Sequence, residues 1–279
     1  MDIKHISHKG FSFRYNIQGE GVPLVFVGGA FQSIEKLGPL SDHWKERYQL
    51  VLIELPGFGE SDFLPENKGF DYTAECIDKV CRQLKLSNMI MIGTSYGSPS
   101  VFRYVANNQN AVLAMILGGT CTSIDKLMEY QVRVMLWIMR SKSSYMFPKA
   151  FTEVMCNIHV EAIPKLARIQ QVLMRSLIRL GEDAKEKFFA NSMRLLGEKL
   201  PKLKVHVPTL VFTGEYDQFT RSDRLEEFHE YCSDLQIERI KNSDHMYHLE
   251  QTEETLALID RFVSEKLSEQ HEEPYKMAS

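Results

Sequence analysis

The residue of this sequence best suited to covalent chemistry is Ser95, at the centre of the run Gly-Thr-Ser-Tyr-Gly at positions 93–97. A serine nucleophile needs its hydroxyl exposed beside a base and beside two backbone N–H groups. A sharp strand-to-helix turn presents it in that way, and glycine two positions to either side relieves the crowding of such a turn. An apolar run precedes the motif and a helical stretch follows it, which favours a nucleophile over a bystander serine in a glycine-rich turn.

A serine hydroxyl is weakly acidic, so it needs a base, and the base needs an acid that orients it and stabilises its charged form. The apolar run 235–240 leads into His245, and the run 205–212 leads into a loop that contains Asp217. Both residues therefore follow predicted strands, in the chain order serine, acid, histidine. Glu215 and Asp244 are the alternative acids, and their positions relative to the strand ends are less favourable.

The other histidines lack this strand-end context. His248 is expected in the first turn of a helix, where a solvated side chain is the ordinary outcome. The remaining ones open a strand, lie within a helix, lie in the tail or have no clear setting: His206, His229, His271, His5, His8, His43 and His159. His245 is therefore the predicted base.

The negative oxygen of a tetrahedral intermediate must be met by preorganised hydrogen-bond donors. The backbone N–H of Tyr96, directly after the candidate nucleophile, is one predicted donor. The turn at 28–31 follows an apolar run and supplies the second, which we assign to Ala30. An ordinary tight turn explains the glycine pair of 28–31 equally well when that turn is taken alone.

These side chains must be positioned by an α/β architecture, because short apolar runs alternate with amphipathic stretches along the chain. The predicted strands are 11–17, 23–27, 48–54, 88–92, 111–117, 205–212 and 235–240, and the clearest predicted helices are 71–86, 98–106 and 250–267. This alternation predicts a mostly parallel sheet flanked by helices.

The segment 121–181 interrupts the alternation, because it contains helical patterns and no convincing strand. We interpret it as a helical cap inserted into a core made of 1–120 and 182–270, with 271–279 as a flexible tail. The cap is rich in methionine, which adapts to irregular apolar shapes and would suit a greasy substrate; apolar helix faces also need no such role. The predicted substrate-binding residues are Phe31, Met135, Trp137, Met139 and Met246.

Composition limits the function classes. The 279 residues are 44% hydrophobic and 25% charged, as in soluble globular proteins, and the net charge of −4 argues against nucleic-acid binding. The five cysteines are scattered without metal-ligand spacing, and no run is long enough for a membrane span or a signal peptide. We expect a soluble, cytoplasmic protein that needs no metal or organic cofactor.

Four blocks of the chain, namely 25–30, 54–61, 93–97 and the pair 214–217 with 244–250, resemble the α/β-hydrolase superfamily. The resemblance implies an eight-stranded, mostly parallel sheet with a cap over the site, and triad roles for Ser95, Asp217 and His245. Three positions depart from it: many relatives have histidine at Gly28, aspartate at Glu54 and glycine at Asp244. A fainter likeness is to acyltransferases that act on 3-hydroxyacyl chains carried on acyl carrier protein or coenzyme A.

Three functions are compatible with these residues. The first is a serine esterase or thioesterase that cleaves a small-molecule ester or thioester with an apolar acyl group. The second passes the same acyl group to an alcohol or thiol, and carbon–carbon bond hydrolysis is a related possibility. The third is a ligand receptor without catalysis. Arg168, Arg175 and Arg179 share one helical face, which either receives a phosphopantetheine or an acidic carrier protein or is simply solvated. The oligomeric state is not predicted.

Overall fold

A computed structural model of the protein describes residues 2–141 and 145–276. Its strands form a single eight-stranded sheet: β1 (Ile3–His8), β2 (Phe11–Gln18), β3 (Pro23–Val27), β4 (Gln49–Glu54), β5 (Met89–Thr94), β6 (Val112–Gly118), β7 (Thr209–Gly214) and β8 (Leu235–Ile240). Their order in the sheet is β1-β2-β4-β3-β5-β6-β7-β8. The pairings that involve β2 are antiparallel and the other five are parallel. The predicted mostly parallel sheet is confirmed.

Two strands differ from the sequence-based prediction. β1 was not predicted, because its edge position leaves most of its side chains partly exposed and its apolar pattern is weak. The strand predicted over 205–212 begins at Thr209, and Val205 forms only an isolated bridge with Cys232. Pro208 lies between them and has no N–H to contribute to a ladder.

The α-helices of the described residues are α1 (Gly38–Trp44), α2 (Phe70–Gln83), α3 (Ser98–Asn107), α4 (Lys126–Arg140), α5 (Met146–Met155), α6 (Leu166–Ile178), α7 (Glu182–Gly197), α8 (Tyr247–Glu250) and α9 (Thr252–Lys276). Both faces of the sheet are covered. Val25 and Val27 of β3 contribute to the apolar cluster that includes α2 and α3, whereas Leu24 and Phe26 face the cluster that includes α1 and α9. Side chains alternate along a strand, so each buried strand serves both layers.

Four helices, α4 to α7, lie between β6 and β7. The first three fall in the segment predicted as a cap, and α7 begins directly after its predicted end. Helix α7 contributes Phe188 to an aromatic cluster with Phe31, Phe147 and Phe151. This cluster joins the helices of the insertion to the loop after β3.

The last helix, α9, continues to Lys276, beyond the end predicted for it at 267. The final residues 277–279 of the predicted tail lie outside the described residues. Among the helices that the structure describes, none is both long enough and apolar enough to cross a membrane.

Candidate active site

The turn that carries Ser95 lies between β5 and α3. Ser95 has a φ of 49°, in the left-handed region, and begins a short 3-10 turn that leads into α3. A Cβ added at Gly97 would lie 2.7 Å from the carbonyl oxygen of Gly28, and one at Gly93 would lie 2.9 Å from the Cα of Ser98. The two flanking glycines therefore allow a strand, a loop and a helix to approach more closely than a side chain would permit.

Ser95 is linked to a histidine and an aspartate. Its Oγ lies 3.1 Å from Nε2 of His245, and Nδ1 of the same ring lies 2.8 Å from Oδ2 of Asp217. The sheet brings these three residues together from a sequence separation of up to 150 positions, because each follows the carboxyl end of a parallel strand. In this arrangement Nδ1–H donates to the carboxylate and leaves Nε2 free to accept the serine proton.

Asp217 is held as an acceptor by several groups. Its Oδ1 accepts hydrogen bonds from the backbone N–H groups of Phe219 and Thr220, each at 2.8 Å, and its Oδ2 accepts from the hydroxyls of Thr213 and Thr220. Burial opposes ionisation of the carboxyl, but His245 and these hydroxyls outweigh it and lower the pKa of Asp217. Asp217 is therefore ionised where it contacts the imidazole.

The buried imidazole of His245 responds in the opposite direction. Burial disfavours its charged form, but the adjacent Asp217 carboxylate outweighs burial and raises the pKa of His245 above its ordinary value. His245 therefore accepts a proton readily, and the Asp217 carboxylate stabilises the imidazolium as it forms.

The two alternative acids have other partners. Glu215 is exposed, and its Oε2 accepts the N–H of Asn242 at 3.1 Å. Asp244 is buried, but it accepts hydrogen bonds from the N–H groups of Met246 and Asn157 and not from the imidazole. Asp217 is thus the acid that the structure brings to His245.

The loop after β3 lies against the nucleophile. A Cβ added at Gly29 would lie 2.9 Å from the Cβ of Ser95, so this loop approaches the nucleophile closely at Gly29. Ala30 is the next residue along the chain. Tyr96 is at the start of the helical turn after Ser95, where backbone N–H groups have no partner within the helix. β3 and β5 are neighbours from which the chain proceeds to opposite edges of the sheet, and ligands of such sheets bind at this crevice.

A cavity of about 390 Å³ opens above Ser95 and His245. Its walls come from the loop after β3 with α1, from the loop and helix that follow β8, and from α5 and α6. The apolar lining residues are Ala30, Phe31, Leu37, Leu40, Phe151, Met155, Leu173, Leu177, Leu180, Met246, Tyr247 and Leu249. Among the described residues of this lining, Lys36 is the only lysine or arginine, and none is an aspartate or glutamate.

The structure brings two of the five predicted substrate-binding residues, Phe31 and Met246, to this cavity. Met135, Trp137 and Met139 are not among the residues that line this cavity. Met135 and Met139 are one helical turn apart and are buried between the helices, whereas Trp137 points the other way and is 73% exposed. Residues two apart on a helix face different directions, so these three could not share one cavity wall.

The cavity also contains residues that sequence reasoning missed. His248 was expected to be solvated, but it lines the cavity from the short helix α8. Burial and the neighbouring His245 lower the pKa of His248 to about 4, so its imidazole is neutral near pH 7. The walls from α5 and α6 were missed as well. Their signal was the helical spacing of Phe151 with Met155 and of Leu173 with Leu177.

Two further features of the site bear on its partners. Arg168 and Arg175 are exposed on the face of α6 opposite to the one that lines the cavity, as their helical spacing from Leu173 and Leu177 requires. Within residues 2–141 and 145–276, no group of three or more histidine, cysteine, aspartate or glutamate side chains is arranged to hold a metal ion.

Comparison with known proteins agrees with the fold. A family model for the alpha/beta hydrolase fold matches residues 22–152. An AB hydrolase superfamily protein of Bacillus subtilis is 23% identical over 258 residues, which cover 88% of this chain and 92% of that protein.

Solved structures give the same result. The α/β-hydrolase enzyme MGS-M2 from a Medee basin deep-sea metagenome library superposes with a TM-score of 0.81 at 13% identity, covering 94% of this chain and 97% of that one. The esterase RhEst1 from Rhodococcus sp. ECU1013 has a TM-score of 0.74 at 22% identity, with coverages of 95% and 99%. The chain therefore has the α/β-hydrolase fold.

Proposed function

We propose that the protein is a serine hydrolase that cleaves a carboxylic ester or thioester with an apolar acyl group. The observation that carries this proposal is the continuous contact from Asp217 through His245 to Ser95 at the base of a largely apolar cavity. An esterase among the structural neighbours is consistent with it.

The chemistry follows from this geometry. His245 Nε2 takes the proton of the Ser95 hydroxyl while Oγ attacks the carbonyl carbon, and the N–H groups of Ala30 and Tyr96 stabilise the oxyanion. The imidazolium then donates its proton to the leaving alcohol or thiol, which leaves an acyl group on Ser95. Water activated by the neutral imidazole hydrolyses that acyl-enzyme in a second, equivalent step.

The cavity supports the assignment of an apolar acyl group. Phe151 and Met155 of α5 and Leu173 and Leu177 of α6 line the cavity that contains the nucleophile, and its described lining includes no aspartate or glutamate. A volume of about 390 Å³ lies within the range of small-molecule sites. We propose a linear or compact acyl chain of medium length as the group that this wall accepts.

The proposal is tested with p-nitrophenyl acetate, butyrate and octanoate and with the corresponding acyl-coenzyme A thioesters. Wild-type protein is expected to hydrolyse them, with a lower KM for the longer chains, and Ser95→Ala to lose roughly 10⁴-fold or more in kcat. Ser176→Ala is the matched control, because Ser176 lines the same cavity away from the triad. Equal turnover by wild type and Ser95→Ala would contradict the proposal.

Water is the proposed acceptor of the acyl group. Adding an alcohol or thiol acceptor to the same assays tests this, because hydrolysis yields free acid as the sole acyl product. A transfer product that exceeds free acid would instead identify the protein as an acyltransferase.

A further inference from the structure

Two buried carboxyl groups lie directly behind the candidate base. Asp244 immediately precedes His245 and has no exposed surface, and Glu250 at the end of α8 is 4% exposed. The N–H of Asp244 donates to Oε2 of Glu250 at 2.8 Å, so these two buried residues are in direct contact. Two buried carboxyl groups this close together favour keeping one proton, because a second unpaired charge in the same site is costly.

The proton belongs on Glu250. Asp244 already uses both oxygens as acceptors: Oδ1 for the N–H of Met246 at 2.8 Å and Oδ2 for the N–H of Asn157 at 2.7 Å. The other oxygen of Glu250, Oε1, is buried and has no hydrogen-bond partner among the described residues. Protonation of Glu250 removes one of the two buried charges, and an unpaired oxygen of a neutral carboxyl costs less than one of a carboxylate.

The surrounding charges favour this state. The titratable groups that face the pair are Asp217 from the loop after β7, Cys156 from the segment after α5, and His245 beside it; within the described chain, neither carboxyl has an ion-pair partner. Burial, reinforced by the charge of Asp244, raises the pKa of Glu250 to about 8, and burial also raises the pKa of Asp244.

Asp244 also connects the base to the helical insertion. Its partner Asn157 follows α5 and donates a side-chain N–H to the carbonyl oxygen of Tyr216, next to Asp217. On the other side of Asp217, the Gln218 amide donates to the carbonyl oxygen of Glu153 at 2.7 Å. The C-terminal end of α5 is therefore attached to the loops of both the acid and the base, and α5 carries two residues of the cavity wall.

We propose that Asp244 and Glu250 are positioning residues, a proton-sharing carboxyl pair that orients His245 and fastens the end of α5 to the catalytic loops. This role rests on the proposed hydrolase function. Loss of the shared proton places a second negative charge in the same buried site, which repels Asp244 and loosens its hold on Asn157 and on the loop of His245.

The first test compares wild type with Glu250→Gln. A glutamine at 250 can still accept the N–H of Asp244 and is uncharged at every pH, so it reproduces the charge of the protonated state permanently. We expect wild-type kcat/KM to fall as the pH rises through about 8, and Glu250→Gln to keep its activity there. Glu253→Gln, an exposed change in the first turn of α9, is the matched control and should follow wild type.

The second test uses stability and needs no substrate. In the folded protein Glu250 keeps its proton up to about pH 8, whereas in the unfolded chain it loses it near pH 4.5. The Tm advantage of wild type over Glu250→Gln should therefore shrink as the pH rises between these values and stay constant above them. This result does not depend on whether the protein hydrolyses esters, so it separates the two proposals.

The third test is Asp244→Asn. Its amide offers one acceptor where the carboxylate offers two, so either Asn157 or Met246 loses its partner. We expect a fall of about tenfold in kcat, as for a lost hydrogen bond to a charged group, and a rise in KM that is larger for octanoate than for acetate esters.

The proposal is overturned if Glu250→Gln and wild type share both pH profiles. If Glu250→Gln fails to fold, the infrared carbonyl band of a protonated carboxyl in the wild-type protein decides the matter. We expect this band at neutral pH and its loss on titration through about pH 8; its absence at neutral pH would equally overturn the proposal.

Discussion

The cavity has two walls that are built in different ways. Ser95, Asp217 and His245 follow the ends of hydrogen-bonded strands, so the ladder of the sheet determines their relative positions. The opposite wall includes Phe151 and Leu173, which lie on helices. These helices are not part of the hydrogen-bond ladder of the sheet, so side-chain packing and hydrogen bonds at their ends hold them in place.

This difference separates two tasks. Catalytic groups need positions within a fraction of an ångström, which rigid strand ends provide. A wall that selects an acyl chain tolerates more variation, because apolar contacts are not directional. Changes at strand ends should therefore alter kcat for every substrate, whereas changes in the helical wall should alter the choice among substrates.

The largest effect is expected from Asp217→Asn. The amide can donate to Nδ1 of His245 and so stabilise the wrong tautomer, which lowers kcat by about 10⁴-fold for all acyl chains. Steady-state kinetics with the acetate and octanoate esters would measure this. Glu215→Gln, two residues away and exposed, should retain full activity, and an equal loss in both variants would contradict the assignment of the acid.

The helical wall predicts a smaller and selective effect. Leu173→Trp should fill part of the cavity and raise KM for octanoate by roughly tenfold, with little change for acetate. Val172→Trp is the control, because Val172 is next to Leu173 in the chain but is 50% exposed on the outer surface of α6. A uniform loss for both substrates would show that this wall is not separate from the catalytic one.

The pH dependence tests the strand-end wall again. Only neutral His245 can accept the Ser95 proton, and Asp217 raises the pKa of His245 despite its burial. Activity should therefore fall as the pH drops, about tenfold per unit, with a midpoint above the ordinary value of about 6.5. A midpoint below that value in the kcat/KM profile would contradict the assigned charge balance.

The smallest effect is expected at the outer surface of α4. Trp137→Ala should change KM less than twofold and the free energy of unfolding by no more than about 0.5 kcal/mol, because Trp137 is largely exposed. Met135→Ala on the same helix should cost about 2–5 kcal/mol of stability. Chemical denaturation of both variants measures the two changes in the free energy of unfolding. A large rise in KM for Trp137→Ala would indicate that Trp137 contacts the substrate.

Prediction from sequence succeeded where short-range patterns determine structure. The apolar runs of the parallel strands and the turn around Ser95 are local features, and together they predicted the sheet and the residues now found in contact. The strand predictions were wrong where a single residue or an edge position changes the structure. Pro208 moves the start of β7 to Thr209, and the exposed edge strand β1 has little apolar signal in its sequence.

The cavity wall was harder to predict because it depends on which helix faces meet. Methionine content drew attention to α4, but the side of α4 that is apolar packs inside the insertion and the side with Trp137 faces solvent. Helical spacing alone separates Met135 from Trp137, yet it does not indicate which face lies over Ser95. The contact between Asp244 and Glu250 is of the same kind, since nothing in the sequence indicates that both carboxyls are buried.

The central claim, that Ser95 is an activated nucleophile, is tested most directly by reaction with a fluorophosphonate probe followed by mass spectrometry of the digested protein. We predict stoichiometric labelling confined to the peptide that contains Ser95, with none in Ser95→Ala and a strongly reduced rate in His245→Ala. Failure of the folded wild-type protein to label, or labelling that persists in Ser95→Ala, would contradict the account.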